Sequence, residues 1–287
     1  MSAEQTIKKL CIYHGNCLDG FAAAWAVRHA LGESVEFYEG IHQQPPPGVD
    51  DVEVILVDFS YKKEVLKEML LSAAGITILD HHVSAEQDLS DLLSSGQIDG
   101  LFDMNKSGAM LAWEWFNPDQ KAPVLIRHIQ DRDLWSFKLD GTREICSALS
   151  SYPSDFAIWD ALMSGNEQQL TVLRREGEAI ERKLQKDIEQ LIASGVRRMT
   201  IAGYNVPVLN APAAYVSDAG HMMSVGEPFA ACYWDHANGR SFSLRSNGQD
   251  EVNSINVAEV AKIYGGGGHK NAAGFTVEYG WEGERNI

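Results

Sequence analysis

Short apolar runs alternate with helix-like segments along the first half of the chain. Residues 8–13 and 52–57 read as strands, and 76–79, closing the apolar stretch Gly75-Ile76-Thr77-Ile78-Leu79, as a third. Between them, the alanine-rich segment 20–31, stopped by Gly32, and the segment 62–74 read as helices, with Pro45-Pro46-Pro47-Gly48 as an intervening loop. Segments 107–116 and 123–130 are also helical in pattern. This alternation predicts an α/β fold in which helices cover a parallel sheet. A long polar helix is predicted over 166–194, with Leu170, Leu173, Ile180, Leu184, Ile188 and Leu191 on one face. It suits a connector between domains; the plainer alternative is a surface helix of the first domain. After Gly195 the pattern turns to short strands at 199–201, 206–209, 229–234 and 240–245. The expected layout is a first domain over 1–165, a connector helix over 166–195 and a smaller α/β domain over 196–287.

Composition narrows the function classes. At 287 residues the chain suits two domains, and its 45% hydrophobic content is ordinary for a globular protein. No run approaches the roughly 18 apolar residues of a membrane span, so no membrane partner is expected. The start Met1-Ser2-Ala3-Glu4-Gln5 lacks the pattern of a signal peptide, which points to the cytoplasm. Cys11, Cys17, Cys146 and Cys232 are widely spaced and form no Cys-x-x-Cys pair, so reduced, mostly buried thiols are expected. A net charge of -16 opposes gripping long duplexes, where affinity comes from neutralising many phosphates. A nucleic-acid substrate should therefore be short; the plainer alternative is that the acidity serves solubility alone.

Metal-ligand residue types recur where the predicted strands end. The first ends in Tyr13-His14 and leads to Asp19-Gly20, the second in Asp58, and the third in Asp80-His81-His82. In an open parallel sheet these ends converge on one crevice. Mixed carboxylate and imidazole donors suit Mn²⁺ or a related first-row ion better than Ca²⁺. Taken singly the signals are weaker: His14 could be an ordinary strand-end histidine, and Asp19 or Asp58 a helix cap. Two histidines after an aspartate at an apolar strand end are costlier to bury without partners.

The segments His14-Gly15-Asn16-Cys17-Leu18-Asp19-Gly20, Val57-Asp58-Phe59-Ser60 and Leu79-Asp80-His81-His82 resemble the motifs of the DHH phosphoesterase superfamily. Ser243-Leu244-Arg245-Ser246 and Gly265-Gly266-Gly267-Gly268-His269-Lys270-Asn271-Ala272-Ala273-Gly274-Phe275 resemble its DHHA1 branch. The resemblance runs in family order over roughly residues 10–277. It implies a hydrolase with two metal ions, usually Mn²⁺, with Mg²⁺ or Co²⁺ as substitutes. On that pattern His14 binds the first ion, Asp58 bridges both, and Asp19 and His81 bind the second. His82 faces the substrate phosphate, and Asp80 orients its neighbours. For the family's fourth aspartate the choice is Asp131, with Asp133 and Asp103 as rivals. The first motif departs from the family: where a second aspartate is usual, counting back from Asp19 gives Cys17 and counting forward from His14 gives Asn16. Cys17 is either a thiolate ligand in its place or a packing residue.

In the second domain, a run of glycines leaves backbone amides open to an anion. Arg245 and His269 would anchor a phosphate or carboxylate, with Ser246, Gly266, Gly267, Gly268 and Asn271 as neighbours. Arg245 as a strand residue paired with a surface carboxylate is the plainer alternative. His221 is explained as well by a helix start capped by Ser217 or Asp218. Trp25, Trp113 and Trp115 are expected in the core. The leading expectation is a metal-dependent phosphodiesterase acting on short oligonucleotides or small nucleotides, and a homodimer is compatible with it. The alternatives are a phosphoanhydride hydrolase of the pyrophosphatase or exopolyphosphatase type, and a nucleotide sensor that has lost turnover.

Overall fold

The structure is a computed structural model describing residues 8–248 and 254–284. Met1–Gln5, on which the leader reading rests, and the frayed end expected at the last residues lie outside the described residues. Close contacts divide the chain into two units, residues 1–181 and 182–287.

The first unit contains β1 (Lys8–His14), α1 (Leu18–Leu31), β2 (Val35–Gly40), β3 (Val52–Val57), α2 (Lys63–Met69), β4 (Gly75–Asp80), α3 (Val83–Ser94) and β5 (Asp99–Phe102). These are followed by α4 (Gly108–Phe116), α5 (Val124–Asp133), α6 (Thr142–Leu149) and α7 (Phe156–Met163). All five strands run parallel in the order β2-β1-β3-β4-β5. Side chains alternate between the two faces. Cys11, Tyr13, Ile55, Val57 and Leu79 pack with α1 and α4 through α6. Leu10, Ile12, Val54, Leu56, Ile76 and Ile78 pack with α2 and α3. Covering both faces is what makes these strands read as nearly continuous apolar runs. The expected α/β class holds.

The helix α8 (Glu167–Gly195) crosses the division between the units. The second unit continues with β6 (Arg197–Ile201), β7 (Tyr204–Asn210), α9 (Val216–Met223), β8 (Ala230–His236), β9 (Gly239–Arg245), α10 (Val257–Ile263), β10 (Gly267–His269) and β11 (Ala272–Val277). Its six strands lie in the order β10-β11-β9-β8-β7-β6, parallel at β7–β8 and antiparallel elsewhere. Phe242, Phe275, Val206 and Val208 pack with α10 on one face. Leu209, Ala230 and Cys232 pack with α9 and Ile188 of α8 on the other.

Several expectations change. The edge strands β2 and β5 and the helices α3, α6, α7 and α10 were not anticipated. Ser217 and Asp218 lie inside α9, whose N-cap is Tyr215 and has no side-chain cap bond, so neither caps it. Trp25 and Trp113 are buried, stacked at 5.9 Å between centroids, but Trp115 is exposed. No described helix is long and apolar enough to cross a membrane.

Candidate metal centre

The parallel register aligns Tyr13 with Val57 and Val57 with Leu79. The next residue of each strand or its loop is therefore His14, Asp58 and Asp80, so the three polar ends emerge side by side. Asp58 has a left-handed backbone (φ 54), which for a non-glycine residue stores about 1–3 kcal/mol of strain and is common at functional sites. Two glycines let the surrounding helices close on this point. A Cβ on Gly20 would lie 2.3 Å from the His14 carbonyl oxygen, and one on Gly108 2.4 Å from Asp58 Cβ.

The carboxylate of Asp58 joins two groups. Its Oδ1 lies 3.1 Å from His81 Nε2; its Oδ2 lies 3.5 Å from His14 Nδ1 and accepts from Cys17 Sγ at 3.5 Å. His14, Cys17 and Asp58 form one set of potential ligands, with donor atoms all within 4.8 Å of one another. Asp19, His81 and Asp133 form a second set, and Asp58, Asp80, His81 and His82 a third. Asp19 accepts from the amides of Gly108 (2.6 Å) and Ala109 (3.1 Å). Asp19 thus faces the amino end of α4, whose N-cap residue is Ser107. Asp80 Oδ1 accepts from His82 Nδ1 at 2.7 Å and from His81 N at 2.7 Å, fixing the His82 ring. Asp80 Oδ2 is buried with no hydrogen-bond partner among the described residues.

The electrostatics describe a site short of positive charge. Burial, with the charges of Asp58 and Asp133, pushes the Asp19 carboxyl well above its ordinary value. Asp133 is raised too, by the loss of water around it and by Asp58. Burial also opposes the charge on Asp58, but hydrogen bonds from His14 and His81 overcome it and hold that carboxyl well below the usual range. Burial disfavours a charged His81; the bond to Asp58 and the charges of Asp133, Asp58 and Asp19 outweigh it and raise the pKa to about 10. The carboxyl groups of Asp19, Asp58 and Asp133 thus crowd around His81, where a bound cation would relieve their repulsion. A donor set of imidazole, carboxylate and thiol, with one buried carboxylate oxygen unsatisfied, fits divalent first-row ions.

The structure gives the three candidates for the fourth aspartate different surroundings. The carboxylate of Asp131 is taken up by Lys138 N (2.8 Å), Leu139 N (3.0 Å) and Thr142 Oγ1 (2.6 Å), and it belongs to none of the ligand sets. Its rival Asp133 lies 3.6 Å from His81 Nε2. Asp103 is engaged by its own turn, through Asn105. Asn16 is exposed in a left-handed turn (φ 55), whereas Cys17 faces Asp58. His42, which the sequence reading missed, stands 5.2 Å from His14 and 4.8 Å from Phe59 between ring centroids. It sits in an irregular loop with no periodicity to single it out.

In the second unit, Arg245 aligns with Ala272 and Ala272 with His269. Arg245 and His269 therefore share one row of the sheet, with a single strand between them. Arg245 donates to Ser243 Oγ, the Leu244 carbonyl and Ser217 Oγ, and Ser246 Oγ donates to Asn271 Oδ1. The open glycine loop expected here is largely structured. Gly265 N and Gly266 N donate to the carbonyls of Lys262 and Ala261, and Gly267 and Gly268 belong to β10.

The fold and cluster thus define a two-unit α/β protein carrying a carboxylate–imidazole–thiol ligand set at the carboxyl ends of a parallel sheet. No family model matches the chain. It is 29% identical over 292 residues to an uncharacterised protein of Acanthamoeba polyphaga mimivirus, covering 92% of this chain and 66% of the relative. The chain therefore spans just under two thirds of that protein's length. Among solved structures it is similar to the pGpG-specific phosphodiesterase PggH of Vibrio cholerae, with a TM-score of 0.45, 13% identity and coverage of 95% and 94% of the two chains. It is also similar to RecJ of Thermus thermophilus in complex with Mn²⁺, with a TM-score of 0.48, 14% identity and coverage of 95% and 50%.

Proposed function

We propose that the chain is a divalent-metal-dependent phosphoesterase of the DHH kind, with a DHHA1-like second unit, that hydrolyses short oligonucleotides or small nucleotides. The observation that carries this reading is the double engagement of Asp58, one oxygen toward His81 and the other toward His14 and Cys17. One carboxylate can in this way serve two ions. His14 and Asp58 would hold the first, and Asp19, His81, Asp133 and Asp58 the second. Divalent ions there supply neutralisation of phosphoryl oxygens and acidification of an attacking water.

The chain's own groups do the rest. His82, fixed by Asp80 through Nδ1, is the group we assign to a phosphoryl oxygen of the substrate. Arg245 and His269 are assigned to a terminal phosphate, with Ser246 and Asn271 beside them. Mn²⁺ and Mg²⁺ are the ions to test first, alongside Co²⁺.

The test is metal-dependent hydrolysis of a panel of di- to decanucleotides, 3′-phosphoadenosine phosphate, cyclic dinucleotides and polyphosphate. Asp58→Ala should lose at least about 100-fold in rate, the scale of removing one transition-state stabilising group. Near-normal activity in Asp58→Ala would rule out its bridging role. Turnover of polyphosphate alone would move the reading to anhydride hydrolysis.

A further inference from the structure

We propose that Cys17 is a metal ligand, and that the ion it shares with His14 and Asp58 is one that accepts a thiolate, such as Zn²⁺, Co²⁺ or Fe²⁺. The proposal rests on the metal-hydrolase reading above and concerns which ion its first position takes.

The local backbone sets up the contact. After His14 the chain turns through Gly15 and the left-handed Asn16, and Cys17 then starts α1 as its N-cap residue, with extended backbone angles (φ -121, ψ 133). Its side chain makes no capping bond to the helix. Instead Sγ reaches the Asp58 oxygen that also faces His14, and the three donor groups stand within 4.8 Å of one another. A packing role fits less well. Cys11 belongs to the core cluster on this side of the sheet and the adjacent Leu18 packs against it, but Cys17 does neither. Cys11, Cys146 and Cys232 are buried, whereas Cys17 is partly exposed and, among the described residues, is the cysteine found in a ligand set.

Ligand chemistry then decides the ion. Thiolate sulfur favours Zn²⁺ and its neighbours late in the first transition row, while Mg²⁺ and Mn²⁺ favour oxygen donors. On binding, a sulfur–metal bond replaces the S–H bond and the proton passes to solvent. The second ligand set, Asp19, His81 and Asp133, contains no sulfur, so the two positions differ in softness. A mixed pair of ions follows, softer at the His14 end and harder at the Asp19 end.

The experiment is Co²⁺ loading of the full chain, read by absorption and by the number of ions bound. The wild type should show a near-ultraviolet thiolate-to-cobalt charge-transfer band. Cys17→Ser, nearly isosteric, should lose that band while the folded chain still takes up cobalt at the other position. Competition should show Zn²⁺ affinity falling by at least about 10- to 100-fold in Cys17→Ser, since losing even an outer partner costs that much. Cys17→Asp should invert the preference toward Mn²⁺. Stoichiometric cobalt without the band, or a band unchanged in Cys17→Ser, overturns the assignment of Cys17 and leaves the hydrolase reading intact. A folded chain that binds no divalent ion overturns both.

Discussion

Asp131 and Asp133 stand two residues apart at the end of α5 and meet different partners. With three donors on its carboxylate, Asp131 ties down the turn that follows, in which Trp135 (φ 55) and Phe137 (φ 47) both adopt left-handed backbone. Arg132 and Arg143 stack on those two rings, with guanidinium carbons 4.4 Å from the Trp135 and 3.9 Å from the Phe137 centroid. Asp131→Asn puts a donor where an acceptor is needed and should cost about 1–3 kcal/mol in denaturant unfolding. Burial pushes the Asp131 carboxyl up, but the bonds from Thr142, Leu139 and Lys138 outweigh it and leave it below its ordinary value. Its contribution to stability is then complete above about pH 3.9 and is lost as pH falls through the folded-state value. Asp131→Asn should accordingly flatten the acid limb of the stability profile. Asp133→Asn should instead leave stability nearly unchanged and weaken divalent-ion binding in a calorimetric titration. The reverse pattern would return the ligand role to Asp131.

At the scale of elements, the site is made by helix starts pressed against strand ends. The N-terminus of α4 meets both Asp19, through two amides, and Asp58, through Gly108. Gly108→Ala should favour the helix itself by up to about 1 kcal/mol. Its Cβ would nevertheless force Asp58 aside, and displacement of a reacting group by about 1 Å can cost 100-fold in rate. Loss of turnover in a chain that still folds, at a somewhat lowered melting temperature, is therefore the expected outcome, and unchanged turnover would show that α4 does not position Asp58. Glycine at 108 carries no such message in the sequence, where Lys106-Ser107-Gly108-Ala109 reads as a polar loop entering a helix. The buried strands β1, β3 and β4 were legible because both of their faces are covered. The edge strands were not: β2 reads Val-Glu-Phe-Tyr-Glu-Gly, with exposed glutamates, and β5 has four residues including Gly100. The strand β10 was hidden for a different reason, since glycine ordinarily marks loops and is depleted in strands. In the site, residues at strand ends could be read because parallel strands deliver their ends to one place. The choices between Asp131 and Asp133, and between Asn16 and Cys17, could not, because each depends on which way a turn faces.

For the molecule as a whole, charge sets what can be held. The chain has 40 acidic and 24 basic residues, and many of the cations are engaged by neighbours. Arg240 is buried against Asp235 and Glu282, Arg197 also pairs with Glu282, and Arg198 with Glu227. Acidic residues still outnumber basic ones by 16, and the surrounding field repels a phosphate backbone. Binding to a nucleic acid should therefore rest on one or two local contacts rather than on a basic track. Each phosphate neutralised on a single strand contributes about -0.7 to the slope of log affinity against log salt, so a slope between about -0.7 and -1.4 is expected. The measurement is equilibrium binding of a fluorescent tetranucleotide to the Asp58→Ala chain across a salt series, beside a long duplex of the same base composition. Arg245→Ala should flatten the slope by about one contact's worth. The duplex should bind no more tightly than the tetranucleotide even at low salt. A steep slope with tight duplex binding would mean that local charge overrides the net acidity, and that the substrate is a long nucleic acid rather than a short one.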